Sequence, residues 1–156
     1  MQNNQLSSKQ YVRTKARTLP IYKCFINADW EESGLASIVV MRKHKTGTIT
    51  FGLFLADLRA LGVKDSGFHF NIPEPIAMER LAGGGMVETE YSLVHNIIYG
   101  ANKFALKHGF RIYKEFISTD QYILEPESAD IPFIDIEFGL EGKPFVMITP
   151  AYPFLN

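Results

Sequence analysis

The sequence predicts one α+β domain: an antiparallel β-meander packed against a helical layer, with a C-terminal β-hairpin. Three observations lead there. Residues 21 to 57 hold three apolar, β-rich runs separated by short turn-forming stretches, the mark of sequential antiparallel strands. The stretch "YSLVHNIIYGANKFALKHGF" (91 to 110) repeats apolar side chains at helical spacing, over more residues than one strand would use. Residues 131 to 149 carry two more apolar runs around "LEGK". With 156 residues and 46% hydrophobic content, the chain can bury one real core and has little room for a second domain.

Taken in order, residues 1 to 19 are polar and basic and are expected to form a loose arm. Pro20 marks entry to a domain spanning 20 to 156. "IYKCFINA" (21 to 28) suits a strand and "DWEESG" (29 to 34) a turn. "LASIVVMRK" (35 to 43) and "TITFGLFLAD" (48 to 57) are the next two strands, joined by "HKTG", whose Gly47 is the residue a tight hairpin wants. "LRALGVKDSG" (58 to 67) reads as loop or helical turn, and "FHFNI" (68 to 72) alternates as a fourth strand. Pro73 and Pro75 stop that strand and start a short helix through Leu81. Gly83 to Gly85 form a joint without the Lys-Ser/Thr pair of a phosphate loop. Thr89 is placed to cap the long helix, with Glu90 in its first turn, and Gly109 to end it. "FRIYKEFI" and "DQYILE" follow, and then the expected hairpin of "IPFIDIEFG" and "KPFVMIT".

Charge is unevenly placed. Lys9, Arg13, Lys15, Arg17 and Lys23 make residues 1 to 28 +5, while the remainder is −6. Such an end can touch phosphates or an acidic partner, or fold back onto its own acidic body. No aromatic-interleaved basic run of the kind that stacks single-stranded bases follows it in the chain. Arg42, Lys43, His44 and Lys45 form a second basic knob at the expected hairpin tip. Eight acids and no base lie between Glu115 and Glu141, a pattern that a solvated sheet face produces more often than a metal cage.

No run is long and apolar enough for a membrane span, and the first twenty residues lack the apolar centre of a signal peptide. Cys24 is the lone cysteine, which rules out an internal disulfide and a cysteine-cluster zinc site and agrees with the cytoplasm. Within "IYKCFIN" it reads as a small core residue. No serine sits in a nucleophile elbow.

At 100° per residue the long helix is apolar on most sides, with His95 and Asn102 forming a polar gap in its buried surface. Such a gap must be filled by partners from other elements, and Asp29, Asp57 and Asp65 are candidates. The simpler reading is a hydrogen-bonded patch that orders the core. The sharper one groups Asp29, Asp57, Asp65 and His95 as ligands of Mg²⁺ or Mn²⁺, with Asp57, Asp65 and His95 catalytic, the layout of metal-dependent phosphodiester hydrolysis.

Three stretches, "KARTLPIYKCFINADWEESGLASIVVMRKHKTGTITFGLFLADLRALGVKD", "SLVHNIIYGANKFALKHGF" and "IPFIDIEFGLEGKPF", together resemble an uncharacterised family of bacterial proteins. Some of its members carry a C-terminal SEC-C zinc motif. This chain has no cysteine pair after "IPFIDIEFGLEGKPF", so zinc binding is not part of the expectation. The resemblance implies a bacterial cytoplasmic domain and directs attention to Asp57, Asp65, His95 and Asn96.

Two functions are consistent with these residues. The first is a non-catalytic interaction or accessory module, binding a protein or nucleic acid through Arg13, Lys15, Arg17, Arg42, Lys43, His44 and Lys45, with Asn96 and Asn102 as further contacts. The second is the metal-dependent phosphodiesterase or nuclease. They differ in whether Asp57, Asp65 and His95 meet in space. Open strand edges make a homodimer compatible with either.

Overall fold

A computed structural model describes residues 6–81 and 84–146. Strands β1 (Ile21–Asn27), β2 (Leu35–Lys43), β3 (Ile49–Asp57) and β4 (Gly62–Ile72) form the meander. A fifth strand, β5 (Met86–Thr89), pairs with β1, so the sheet runs β4-β3-β2-β1-β5 with every neighbour antiparallel. The β2–β3 register is unbroken from Leu35↔Asp57 to Lys43↔Ile49. That register sends Ile38 and Phe54 to one face and Val39 and Leu53 to the other, as a two-residue period requires.

The first face carries the main core. Cys24, Ile26, Ile38, Val40, Phe54 and Ala56 pack there against Val94, Ile97 and Ile98 of helix α4 (Tyr91–Lys107), Phe116 of α5 (Lys114–Ser118), and Ile123 and Leu124 of a 3-10 turn (Asp120–Ile123) and the residue after it. On the second face Phe25, Val39, Met41 and Phe51 are covered by α3 (Glu74–Glu79) through Ala77 and Met78. Among the described residues no helix is long and apolar enough to cross a membrane.

Several expectations need correction. The basic arm is not loose from Ser8 onward: Ser8–Lys15 is helix α1, opened by a Ser7–Gln10 capping box, and its Val12 joins the core. The segment expected as loop from 58 to 67 contains the first half of β4, because the turn is completed early by Gly62 in the left-handed region at φ +68°. Thr89 does not cap α4; it is paired to Cys24 as the last residue of β5, and Glu90 takes the cap position. Gly109 does end the helix, with Phe110 N–H donating to Ala105 O and Gly109 N–H to Leu106 O. "DWEESG" contains one helical turn, α2 (Trp30–Ser33).

The last correction concerns the C-terminal hairpin. The "LEGK" turn forms and is closed by the isolated bridge Leu140↔Lys143, but the described flanks are not strands. Residues 147–149 lie outside the described residues. The alternation read from the sequence is present, with Ile136 and Phe138 packed on the core and Asp135 and Glu137 exposed. Its partner is a helix rather than a sheet: Asn96 of α4 donates to Pro132 O and accepts from Ile134 N–H. Gly100 leaves the space for the Phe138 ring, whose nearest atom would lie 2.4 Å from an added Cβ.

Candidate functional site

The polar gap on α4 is filled by backbone, not by aspartates. His95 is 4% exposed and its Nε2 faces Glu125 O at 3.1 Å. Tyr91 and Tyr99 flank the ring at 5.5 and 4.7 Å. Burial holds the His95 pKa below its ordinary value, outweighing the pull of the Glu125 and Pro126 backbone. Asn102 Oδ1 accepts from Val63 N–H at 2.8 Å, tying α4 to the start of β4. These two residues therefore complete the hydrogen bonding of the core, the simpler of the two readings.

Glu125 is the hub of this region, a role the sequence did not mark. Its N–H donates to Tyr91 Oη, its carbonyl accepts from Tyr99 as well as His95, and its carboxylate accepts from Arg42 at 2.7 Å. Arg42 is 1% exposed and also donates to Ile123 O and Leu19 O. The basic knob thus loses its first member to the interior. In the N-terminal segment, Arg13 donates to Ser118 O and Thr119 Oγ1. Arg17 donates to Leu124 O and lies over the Tyr122 ring. Two of the three arm cations expected to contact a partner, Arg13 and Arg17, instead dock the arm to the body.

The aspartates stand apart, each with its own partners, although Asp57 Oδ2 is buried without one. Asp29 is exposed and accepts from Asn27. Asp57 is buried at the end of β3, where its Oδ1 accepts from Arg59 N–H and Ala60 N–H and shapes the turn into β4. Burial raises the Asp65 pKa, against the opposing pull of the Ser66 backbone and the Tyr113 hydroxyl. The Ser66 hydroxyl donates to Asp120 at 2.5 Å, another carboxyl raised by burial. Asp29, Asp57, Asp65 and His95 do not converge. Among the described residues no group of three or more His, Cys, Asp or Glu is placed to hold a metal ion. Burial pushes the Cys24 thiol up to about 12, so it stays protonated and unreactive.

What the fold does bring together is a groove of about 720 Å³ between α1 and the β2–β3 turn. Lys15 reaches it from the N-terminal helix, Lys43, His44 and Lys45 from the turn, and Phe70 and Asn71 from β4, with Tyr11 beside Lys15. Among the described residues, all the ionisable groups at its wall are basic except the Tyr11 phenol. Tyr11 and Phe70 rings lie 5.0 Å apart, and His44 sits 5.7 Å from each. His44 also bonds Thr50 Oγ1, and burial lowers its pKa, so its ring is neutral at neutral pH. Lys43 leans over the Tyr22 ring and pairs with Glu74 at 3.4 Å, while Lys15 and Lys45 are exposed.

No protein-family model, curated protein or solved structure matches the chain. The groove therefore has to be interpreted from its own residues. Reading along the chain finds no basic surface interleaved with aromatics, because this one is assembled from three separate stretches. Only the adjacency of Tyr11 to the arm's cations, and the pair of phenylalanines in "FHF", hinted at it.

Proposed function

We propose that the chain is a non-catalytic interaction module that binds an anionic partner in the groove between α1 and the β2–β3 turn. One observation carries this reading: among the described residues the groove wall holds exposed Lys15 and Lys45, with Lys43 paired to Glu74 from outside the wall, and no carboxylate of its own, on a chain whose net charge is −1. A single-sign concave surface on a nearly neutral molecule concentrates an oppositely charged ligand. Arg13 and Arg17 hold α1 to the body and Arg42 holds the 123–125 segment, while Asn96 and Asn102 tie α4 to the 132–134 segment and to the start of β4. A cytoplasmic setting, in which lone Cys24 stays reduced, and a homodimer through the outer edge of β4 belong to the same proposal. The phosphodiesterase reading draws no support from the separate positions of Asp57, Asp65 and His95.

The test is salt-dependent retention on a heparin matrix, comparing wild type with Lys15→Glu/Lys45→Glu. Both lysines are exposed, so the variant should unfold at the wild-type temperature. The module reading expects retention to be lost in that variant. Equal retention of the two proteins would remove the groove from consideration.

A further inference from the structure

We infer that the occupant of the groove is a single-stranded nucleic acid, with phosphates on Lys15 and Lys45 and a base against the Tyr11, His44 and Phe70 rings. This rests on the reading of the groove as the binding face. Three features of the wall support this, and the rings are the one that separates a nucleic acid from an acidic protein segment.

The cations in the groove are lysines. Lysine acts as a point charge on a flexible stem, able to follow phosphates strung along a flexible backbone, though it serves carboxylates as well. The nearby arginines donate inward to backbone carbonyls. Second, the rings lie among the cations. Tyr11 is on α1 with Lys15, and the Tyr11 and Phe70 rings are half-buried and tilted by 55° to each other. They form a supported apolar platform whose outer faces border the groove lined by those lysines. Base stacking on such rings, beside a basic track, is how single strands are held without regard to sequence. A duplex keeps its bases stacked on each other and withholds them from such a platform. Third, Asn71 supplies an amide at the same wall; its Oδ1 accepts from Thr48 Oγ1, and its NH₂ is the group able to donate to a base edge.

The experiment is fluorescence anisotropy of the full chain with labelled oligo(dT) and oligo(U) of about 12 nucleotides, the matching duplex, and a polyglutamate peptide of equal charge. Both oligonucleotides should bind, with a slope of log affinity against log salt of about −1.4, from two phosphates at roughly 0.7 each. Lys45→Glu should make that slope shallower. Tyr11→Leu should weaken binding about tenfold with the slope unchanged. Thermal unfolding checks each variant. Should Tyr11→Leu not fold, Phe70→Leu and the upfield shift of the Tyr11 ring protons on adding oligo(dT) to wild type carry the same test.

Equal affinity for polyglutamate, or for the duplex, overturns the single-strand inference and leaves the anion-binding module standing. So does a folded ring variant that binds as wild type does. No binding to any of these probes, together with no heparin retention, overturns both.

Discussion

The Arg42 guanidinium, 1% exposed, donates to the Glu125 carboxylate at 2.7 Å from within the sheet's helix-covered face. Its other nitrogens donate to Leu19 O and Ile123 O, so one side chain joins β2 to the segments on either side of the core. Removing one partner of such a buried pair costs about 3 to 5 kcal/mol. Arg42→Met should lose that much in urea unfolding. Glu125→Gln, on a side chain one-third exposed at 33%, should cost about 1 kcal/mol, since the amide oxygen still accepts. Equal losses in the two variants would contradict the hub assignment.

Arg42 also shows where reading the sequence stops working. "RKHK" is one basic cluster on paper, yet Arg42 lies on the inward side of β2, and the turn residues point elsewhere. The strands, the long helix and its polar gap were legible because their periods are local properties of the chain. Partners across the fold were not, since nothing in the spacing of His95 says that it will meet a carbonyl at residue 125 instead of an aspartate. Met86–Thr89 was missed because a four-residue edge strand is too short to show a period. The 131–138 run shows the alternation expected of it, and among the described residues its partner is an asparagine of α4.

His95 predicts a pH dependence of stability. Burial keeps its folded pKa below the ordinary 6.5, so near that pH the unfolded chain binds more protons than the folded one. The stability involved is complete above pH 6.5 and is lost as pH falls through the window down to the depressed folded pKa. His44 and His69 are shifted the same way. Asp65 and Asp120, raised by burial, act oppositely at lower pH: their contribution is present below about pH 4 and is lost as pH rises through their folded values. Urea midpoints should therefore decline below pH 6.5, and His95→Gln should flatten part of that decline. An unchanged profile would mean that His95 titrates as freely folded as unfolded.

Asn96 predicts a local effect. Its amide makes the two bonds that hold Pro132 and Ile134 against α4. Asn96→Ala should cost about 1 kcal/mol globally. Its larger consequence should be faster cleavage by a nonspecific protease between residues 131 and 138, while amide exchange in β1 to β3 stays slow. Protection of that segment equal to wild type would show that Ile136 and Phe138 alone suffice to hold it.

Gly62 and Asn102 predict a measurable coupling. Gly62 adopts φ +68°, and a Cβ there would stand 2.6 Å from Asn102 Oδ1 and 3.1 Å from Ala101 O. Gly62→Ala thus suffers twice: the left-handed backbone costs about 1 to 2 kcal/mol for a residue with a side chain, and Asn102 is pushed off the Val63 N–H. Asn102→Ala leaves that buried N–H unpaired, at about 1 to 3 kcal/mol. It also removes the oxygen that the added methyl group would strike. The double variant should consequently be more stable than the summed single losses imply, by about 1 kcal/mol, within the range seen for residues in contact. The Ala101 carbonyl still crowds the added methyl, so the cycle should leave a residual cost for the glycine replacement. Strict additivity in chemical denaturation would show that the backbone at Gly62 shifts away from α4, and that Asn102 does not set the entry of β4.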